Sequence, residues 1–197
     1  MRGTFTFREG DTHRMPVTLR HYPFNRDVRV YYDDCRMFSF DQKTDMEALA
    51  PLIPADFEIT APLVSWSYVN CRGVDFMMQG EYRILQAAVP VRFCGKEETL
   101  KGTYPLLILE NAAVPVLGGR EEDGMPKVVC DISLDRHRDS HWFAAASQDC
   151  ETIARMNFFE GAPWTPEQVS AYNAQGKVNV FGNRCLPAVD RPGNVYQ

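Results

Sequence analysis

Gly118-Gly119-Arg120-Glu121-Glu122-Asp123-Gly124-Met125-Pro126-Lys127 is the stretch around which this sequence organises itself. It gathers glycines, a proline and charged residues between two apolar runs. The run before it, Tyr104 to Leu117, and the run after it, Val128 to Leu134, are apolar and read as strands. A polar loop punctuated by glycine between two buried strands is where a scaffold presents chemistry. Lys127 closes that loop and opens the next strand. Its backbone is therefore held by the sheet while its amine projects toward the space the loop covers.

Outward from there, strands dominate. Leu63 to Cys71 alternates, with Leu63, Ser65, Ser67 and Val69 on one face and Val64, Trp66 and Tyr68 on the other. Glu81 to Phe93 and Thr99 to Leu117 form a long pair around the charged turn Gly95-Lys96-Glu97-Glu98. Phe57 to Thr60, Trp142 to Ser147 and Val178 to Phe181 add shorter strands, and Tyr31, Met37, Phe38 and Phe40 suggest an aromatic one. Helices are few. One runs from Asp45 to Leu52 with Thr44 as N-cap and Glu47 as its capping-box partner; another starts at Thr165-Pro166. Many strands joined by tight turns predict an α+β fold, mostly β, built on an antiparallel sheet that curls or closes. The chain reads as one domain over residues 1–197, with an irregular, proline-broken arm over residues 1–29.

Composition narrows the function classes. Hydrophobic residues at 45% and charged residues at 24% are globular values. A net charge of -5 argues against general nucleic-acid binding, so an anionic substrate needs a local positive site. No apolar run approaches a membrane span, and the N-terminus lacks a signal-peptide pattern. Cys35, Cys71, Cys94, Cys130, Cys150 and Cys185 are scattered, which fits reduced thiols in a cytoplasmic protein better than a zinc site or a disulfide scaffold. His137 and His141 have a ligand-like spacing, but the segment between them reads as a hairpin, so no metal is expected. No phosphate loop, serine elbow or dinucleotide fingerprint is present, and no cofactor is expected.

Tyr104-Pro105-Leu106-Leu107-Ile108-Leu109-Glu110-Asn111, Ala113-Val114, Gly119-Arg120-Glu121 and Gly124-Met125-Pro126-Lys127 resemble the acetoacetate decarboxylase family. Lys43 to Leu49, Pro54, Pro62-Leu63-Val64 and Ala88 to Phe93 follow in the family's order, so the resemblance spans roughly Val30 to Arg184. It implies a strongly curved antiparallel sheet closing into a cone or barrel with a few peripheral helices, and Lys127 inside as the Schiff-base residue. It also implies further strands after the position matching Arg184, so the expectation is a divergent, C-terminally short member or an incomplete copy.

The chemistry such a lysine performs is simple to state. An amine attacks a ketone only when neutral, and in water about one lysine in a thousand is neutral near pH 7. Burial in an apolar cone favours the neutral form. The protonated imine that results accepts the electrons of a breaking carbon–carbon bond. In acetoacetate decarboxylases the known activators are an apolar pocket and a neighbouring cation, so that part of the reading comes from the resemblance. The other lysines, Lys43, Lys96, Lys101 and Lys177, lie in polar turns or at element edges.

The resemblance also exposes departures. The family's second lysine falls at Val128. Its two glutamates fall at Ile84, two residues after Tyr82, and at Ser67. The arginine expected to meet the substrate carboxylate falls near Cys35, with Arg36 next to it. Arg120 and Arg83 are the candidate neighbouring cations, and Arg120 with Glu121 shapes the pocket or simply holds the loop. Lys127 is therefore the catalytic candidate, and Arg120, Glu121, Arg36, Arg83 and Tyr82 are the candidate substrate-binding residues. A buried carboxylate at Glu110, at the end of its strand, would support the site from behind, but bonding the turn is the plainer account. The activity expected is a lyase acting on a small oxo acid, most simply a decarboxylase. An aldolase-dehydratase using the same lysine and a non-catalytic small-molecule-binding barrel stay open. Exposed strand edges make a homo-oligomer the expected assembly.

Overall fold

The computed structural model describes residues 29–174, 176 and 178–196, together with 1–4, 6, 9, 12–13 and 21–22. The chain divides into two units, Met1–Tyr31 and Tyr32–Gln197. In the first, β1 (Thr12–His13) pairs with β2 (His21–Tyr22) as an antiparallel hairpin. Most of the irregular arm expected over residues 1–29 lies outside the described residues.

The second unit runs β3 (Asp34–Lys43), α1 (Met46–Leu49), β4 (Phe57–Ile59), β5 (Leu63–Val74), β6 (Gly80–Cys94) and β7 (Thr99–Glu110). It continues through α2 (Ala113–Glu121), β8 (Lys127–Val129), β9 (Asp131–Ile132), β10 (Arg136–Arg138), β11 (His141–Gln148) and β12 (Glu151–Phe159). It closes with α3 (Pro166–Ala174), β13 (Asn179–Val180), β14 (Leu186–Pro187) and β15 (Asn194–Tyr196). The expected mostly-β α+β fold is what forms.

The larger sheet has the order β13-β7-β6-β5-β3, with β4 added to β6 and β8 added to β7. The smaller has the order β10-β11-β12, with β9 added to β11. The two sheets share a core in which Tyr68, Leu85 and Leu109 of the larger meet Ile132, Ala144, Ala146 and Met156 of the smaller. The antiparallel backbone of the larger sheet follows the alternation seen in the sequence. Two short strands depart from it: β8 and β13 both lie parallel to β7. Neither sheet closes on itself among the described residues, so the expected cone or barrel is present as two open sheets. The edge strand β3 is exposed along almost its whole length.

Several local expectations shift. The strand expected over Tyr104 to Leu117 ends at Glu110, and Ala113–Glu121 is helical. A short apolar run does not by itself tell strand from helix, and Pro115 is suited to the first turn of a helix but not to the middle of a ladder. The loop expected over Gly118 to Lys127 accordingly begins inside α2. In α1 the N-cap is Asp45, whose carboxylate accepts from the Glu47 amide at 2.9 Å, one residue later than Thr44. At α3 the expected cap forms: Gln168 N donates to Thr165 Oγ1 at 3.3 Å, and Thr165 N donates to Gln168 Oε1 at 2.8 Å. β12 went unread because the exposed apolar residues Ile153 and Phe159 blur the alternation of its inward residues, Ala154, Met156 and Phe158.

Cysteine exposure gives a direct check of this packing. Cys35, Cys94, Cys150 and Cys185 are exposed, whereas Cys71 and Cys130 are buried. Burial is the first cause pushing both buried thiols above the ordinary range. Iodoacetamide at about pH 8, which reacts with thiolate, is expected to label the four exposed cysteines and spare the two buried ones in the native protein. Rapid labelling of Cys71 would contradict the packing of β5 against β6.

Candidate active site

β7, α2 and β8 form one unit: a strand, a helix that crosses over, and a parallel strand added beside the first. Parallel neighbours need such a crossover, and a helix is its usual form. The pairing sets Lys127 beside Ile108 and Val129 beside Glu110. Ile108 and Glu110 share a face of β7 because they are two residues apart. Lys127 and Glu110 therefore meet on that face: Lys127 Nζ lies 2.9 Å from Glu110 Oε1. The lysine side chain is 16% exposed and the glutamate side chain 0%. The ammonium contact is an ion pair rather than a well-directed hydrogen bond, and Oε2 has no hydrogen-bond partner among the described residues.

Helix α2 covers the amine. Lys127 Nζ donates to the Pro115 carbonyl at 3.2 Å. A Cβ added at Gly119 would come within 2.5 Å of Lys127 Cδ and Cε and 2.8 Å of Nζ, so the lysine stem lies against the bare backbone of the helix. Arg120 Nη1 donates to the Lys127 carbonyl at 2.9 Å and ties the helix end to the strand carrying the lysine. Gly124 takes φ +68, a left-handed conformation that favours glycine, in the turn between α2 and β8. An ammonium has three donors. Pro115 and Glu110 are two partners that it meets among the described residues.

Electrostatics follow from burial. Desolvation pushes the Glu110 carboxyl above the usual carboxylate range, and the Lys127 ammonium works against that rise. On the same face, Tyr82 stands across β5–β6 from Cys71, and Cys71 across β3–β5 from Cys35. Tyr82 is 4% exposed. Burial and then its contact with Tyr32 push its phenol well above the ordinary range, so it stays neutral. The two hydroxyls are 3.2 Å apart.

The candidates from sequence separate by face. Lys127 and Tyr82 share one side of the larger sheet; Arg120 and Glu121 lie at the end of the covering helix. Arg36 pairs with Asn70, and Asn70 with Arg83, in register one residue off Cys35–Cys71–Tyr82. They therefore face the smaller sheet, as alternation requires. There Arg36 bonds Asp135 at 3.1 Å, and Arg83 bonds the Ile132 carbonyl at 2.6 Å and Glu81 at 3.0 Å. The structure thus brings neither arginine beside the amine. Val128 also turns away, into the core between the sheets, so a cation there would not face Lys127. Glu110, read from sequence most plainly as bonding the turn, pairs with Lys127 instead. The signal was a carboxylate closing an otherwise apolar strand, directly across from Ile84.

The acetoacetate decarboxylase family model matches residues 14–197. Acetoacetate decarboxylase 1 of Bradyrhizobium diazoefficiens is 35% identical over 125 residues, covering 64% of this chain and 46% of that protein. The acetoacetate decarboxylase of Ralstonia nicotianae is 30% identical over 126 residues, covering 64% of this chain and 47% of that protein. The chain thus spans about half the length of these curated relatives. Among solved structures, an acetoacetate decarboxylase from Legionella pneumophila superimposes with a TM-score of 0.71 at 21% identity, over 89% of this chain and 69% of its own. The enduracididine biosynthesis enzyme MppR complexed with pyruvate does so with a TM-score of 0.60 at 14% identity, over 80% and 65%. At those identities the two structures share the fold.

Proposed function

This chain belongs to the acetoacetate decarboxylase family, and from that premise we propose that Lys127 forms an imine with a small oxo acid and that a lyase step follows. The observation that carries the proposal is the setting of Nζ: 16% exposed at the level of the side chain, under a helix, beside a buried carboxylate. A solvated surface lysine has none of these. The neutral amine adds to the ketone carbon, and loss of water leaves a protonated imine. With a 3-oxo acid, the bond to the carboxylate breaks, carbon dioxide leaves, and the electron pair moves onto the imine nitrogen. Protonation of the enamine carbon and hydrolysis return the lysine.

Decarboxylation is the first reading. The alternative, aldol addition and dehydration through the same imine, is favoured by the departures at Val128, Ile84 and Ser67. Tyr82, Arg120 and Glu121 remain proposed pocket residues. Arg36 and Arg83 are left out, because their guanidinium groups are engaged on the other face. Arg36→Ala is therefore expected to leave the rate of imine formation unchanged, measured by single-turnover trapping. A large loss would return Arg36 to the site. Cytoplasmic residence, homo-oligomeric assembly and closure of the curved sheet around the amine are further parts of this proposal.

The test is borohydride reduction in the presence of acetoacetate, pyruvate and larger 3-oxo acids, with mass spectrometry of the Lys127 peptide and measurement of released carbon dioxide. A reduced adduct on Lys127 supports the imine, and gas release assigns decarboxylation. No adduct with any of these acids would leave a binding protein as the reading.

A further inference from the structure

We propose that Glu110 is the acid–base partner of Lys127, taking the proton from the ammonium so that the amine attacks, and returning it to the oxygen that leaves as water. The inference deepens the imine reading and rests on it. Three observations carry it. Glu110 Oε1 lies 2.9 Å from Lys127 Nζ, close enough for direct proton transfer. The side chain is wholly withdrawn from solvent. Neither carboxylate oxygen receives a directed hydrogen bond from any described residue.

The last point separates this group from an ordinary structural ion pair. A buried carboxylate held for stability alone is normally wrapped in donors, because an under-bonded one is costly. Here the backbone instead fixes the carboxylate where the lysine is. Cys130 N donates to the Glu110 carbonyl at 2.8 Å, and Glu110 is held between Ile84 of β6 and Val129 of β8. Burial also penalises the charged form of Glu110, which favours its taking up a proton.

The proton ledger closes within the pair. The ammonium proton moves to Oε1, giving carboxylic acid and amine. The nitrogen lone pair forms the bond to the carbonyl carbon, and the carbonyl π electrons move to oxygen, which takes the proton from Glu110. The attached nitrogen then gives a proton to the regenerated carboxylate. Glu110 passes that proton to the hydroxyl as the carbon–oxygen bond breaks, and water leaves. The imine retains one N–H, and no oxidant or second reagent is needed.

The experiment is single-turnover trapping of the Lys127 adduct with borohydride and pyruvate or acetoacetate across pH, for wild type, Glu110→Gln and Glu110→Asp. Glu110→Gln is expected to form the imine about 100-fold more slowly near neutral pH, at the lower end of the range for acid–base groups. Its rate should climb with pH, because solvent must then remove the ammonium proton. Glu110→Asp is expected to keep the wild-type shape of the profile at a reduced rate. If Glu110→Gln matched wild type in rate and profile, Glu110 would be a structural ion partner and the role of Lys127 would stand. If wild type itself trapped nothing, the imine reading would fall and this inference with it. Should Glu110→Gln not fold, Glu110→Asp decides alone: a slowed rate with the wild-type profile supports the inference, and an unchanged rate overturns it.

Discussion

Lys127→Met is expected to abolish borohydride trapping and turnover while the protein still folds, and to leave a stability defect that grows with pH. The first part follows from removing the amine proposed to form the imine. The second follows from what stays behind. In wild type, burial raises the folded-state pKa of Glu110 and Lys127 pulls it back. The methionine removes the pull and keeps the burial, so the raised pKa rises further. A carboxyl whose folded pKa lies above its unfolded value, about 4.3, contributes stability that is full below that value. That contribution is lost as pH climbs through the folded pKa. The variant should therefore match wild type best near pH 4 and fall behind toward neutrality, by about 3 kcal/mol for an uncompensated buried charge. Urea denaturation of both proteins at several pH values checks this. A gap that shrank with rising pH, or persistent trapping in the variant, would remove Lys127 from the centre of the site.

Gly119→Ala is expected to slow imine formation about 100-fold with little change in stability, since a displacement of about 1 Å at a reacting group costs that much. The added Cβ would overlap Lys127 Cδ and Cε at 2.5 Å, so the flexible lysine stem must move. Helix propensity works the other way, favouring alanine over glycine by up to about 1 kcal/mol inside a helix. The two measurements should therefore part company: denaturation midpoint held or raised, trapping rate lowered. A destabilised variant with normal trapping would mean that the helix moves and the lysine does not. This outcome would contradict the close fit of α2 over the amine.

Much of this molecule was legible without coordinates because it is local. Alternation along Leu63 to Cys71 gave β5 its two faces, and Gly95-Lys96-Glu97-Glu98 marked the turn between β6 and β7. A one-residue slip moves a strand residue to the other face, and Arg36 is such a case: its neighbour Cys35 shares the face of Tyr82, and Arg36 itself meets Asp135. Pro115 was the overlooked sign that the apolar run beyond Glu110 turns helical.

The strand content and the mostly-β character came from the order of residues alone, since turn chemistry and a period of two act between neighbours; the choice of Lys127 as the reactive candidate came from the family resemblance that its loop carries. The meeting of Lys127 with Glu110, the helix laid over the amine and the turning of Val128 and the two arginines away from it belonged to the tertiary structure. They depend on a parallel pairing between strands separated by a helical crossover. Local periodicity fixes which residues of a strand share a face, but carries no information about which distant strand will lie alongside it.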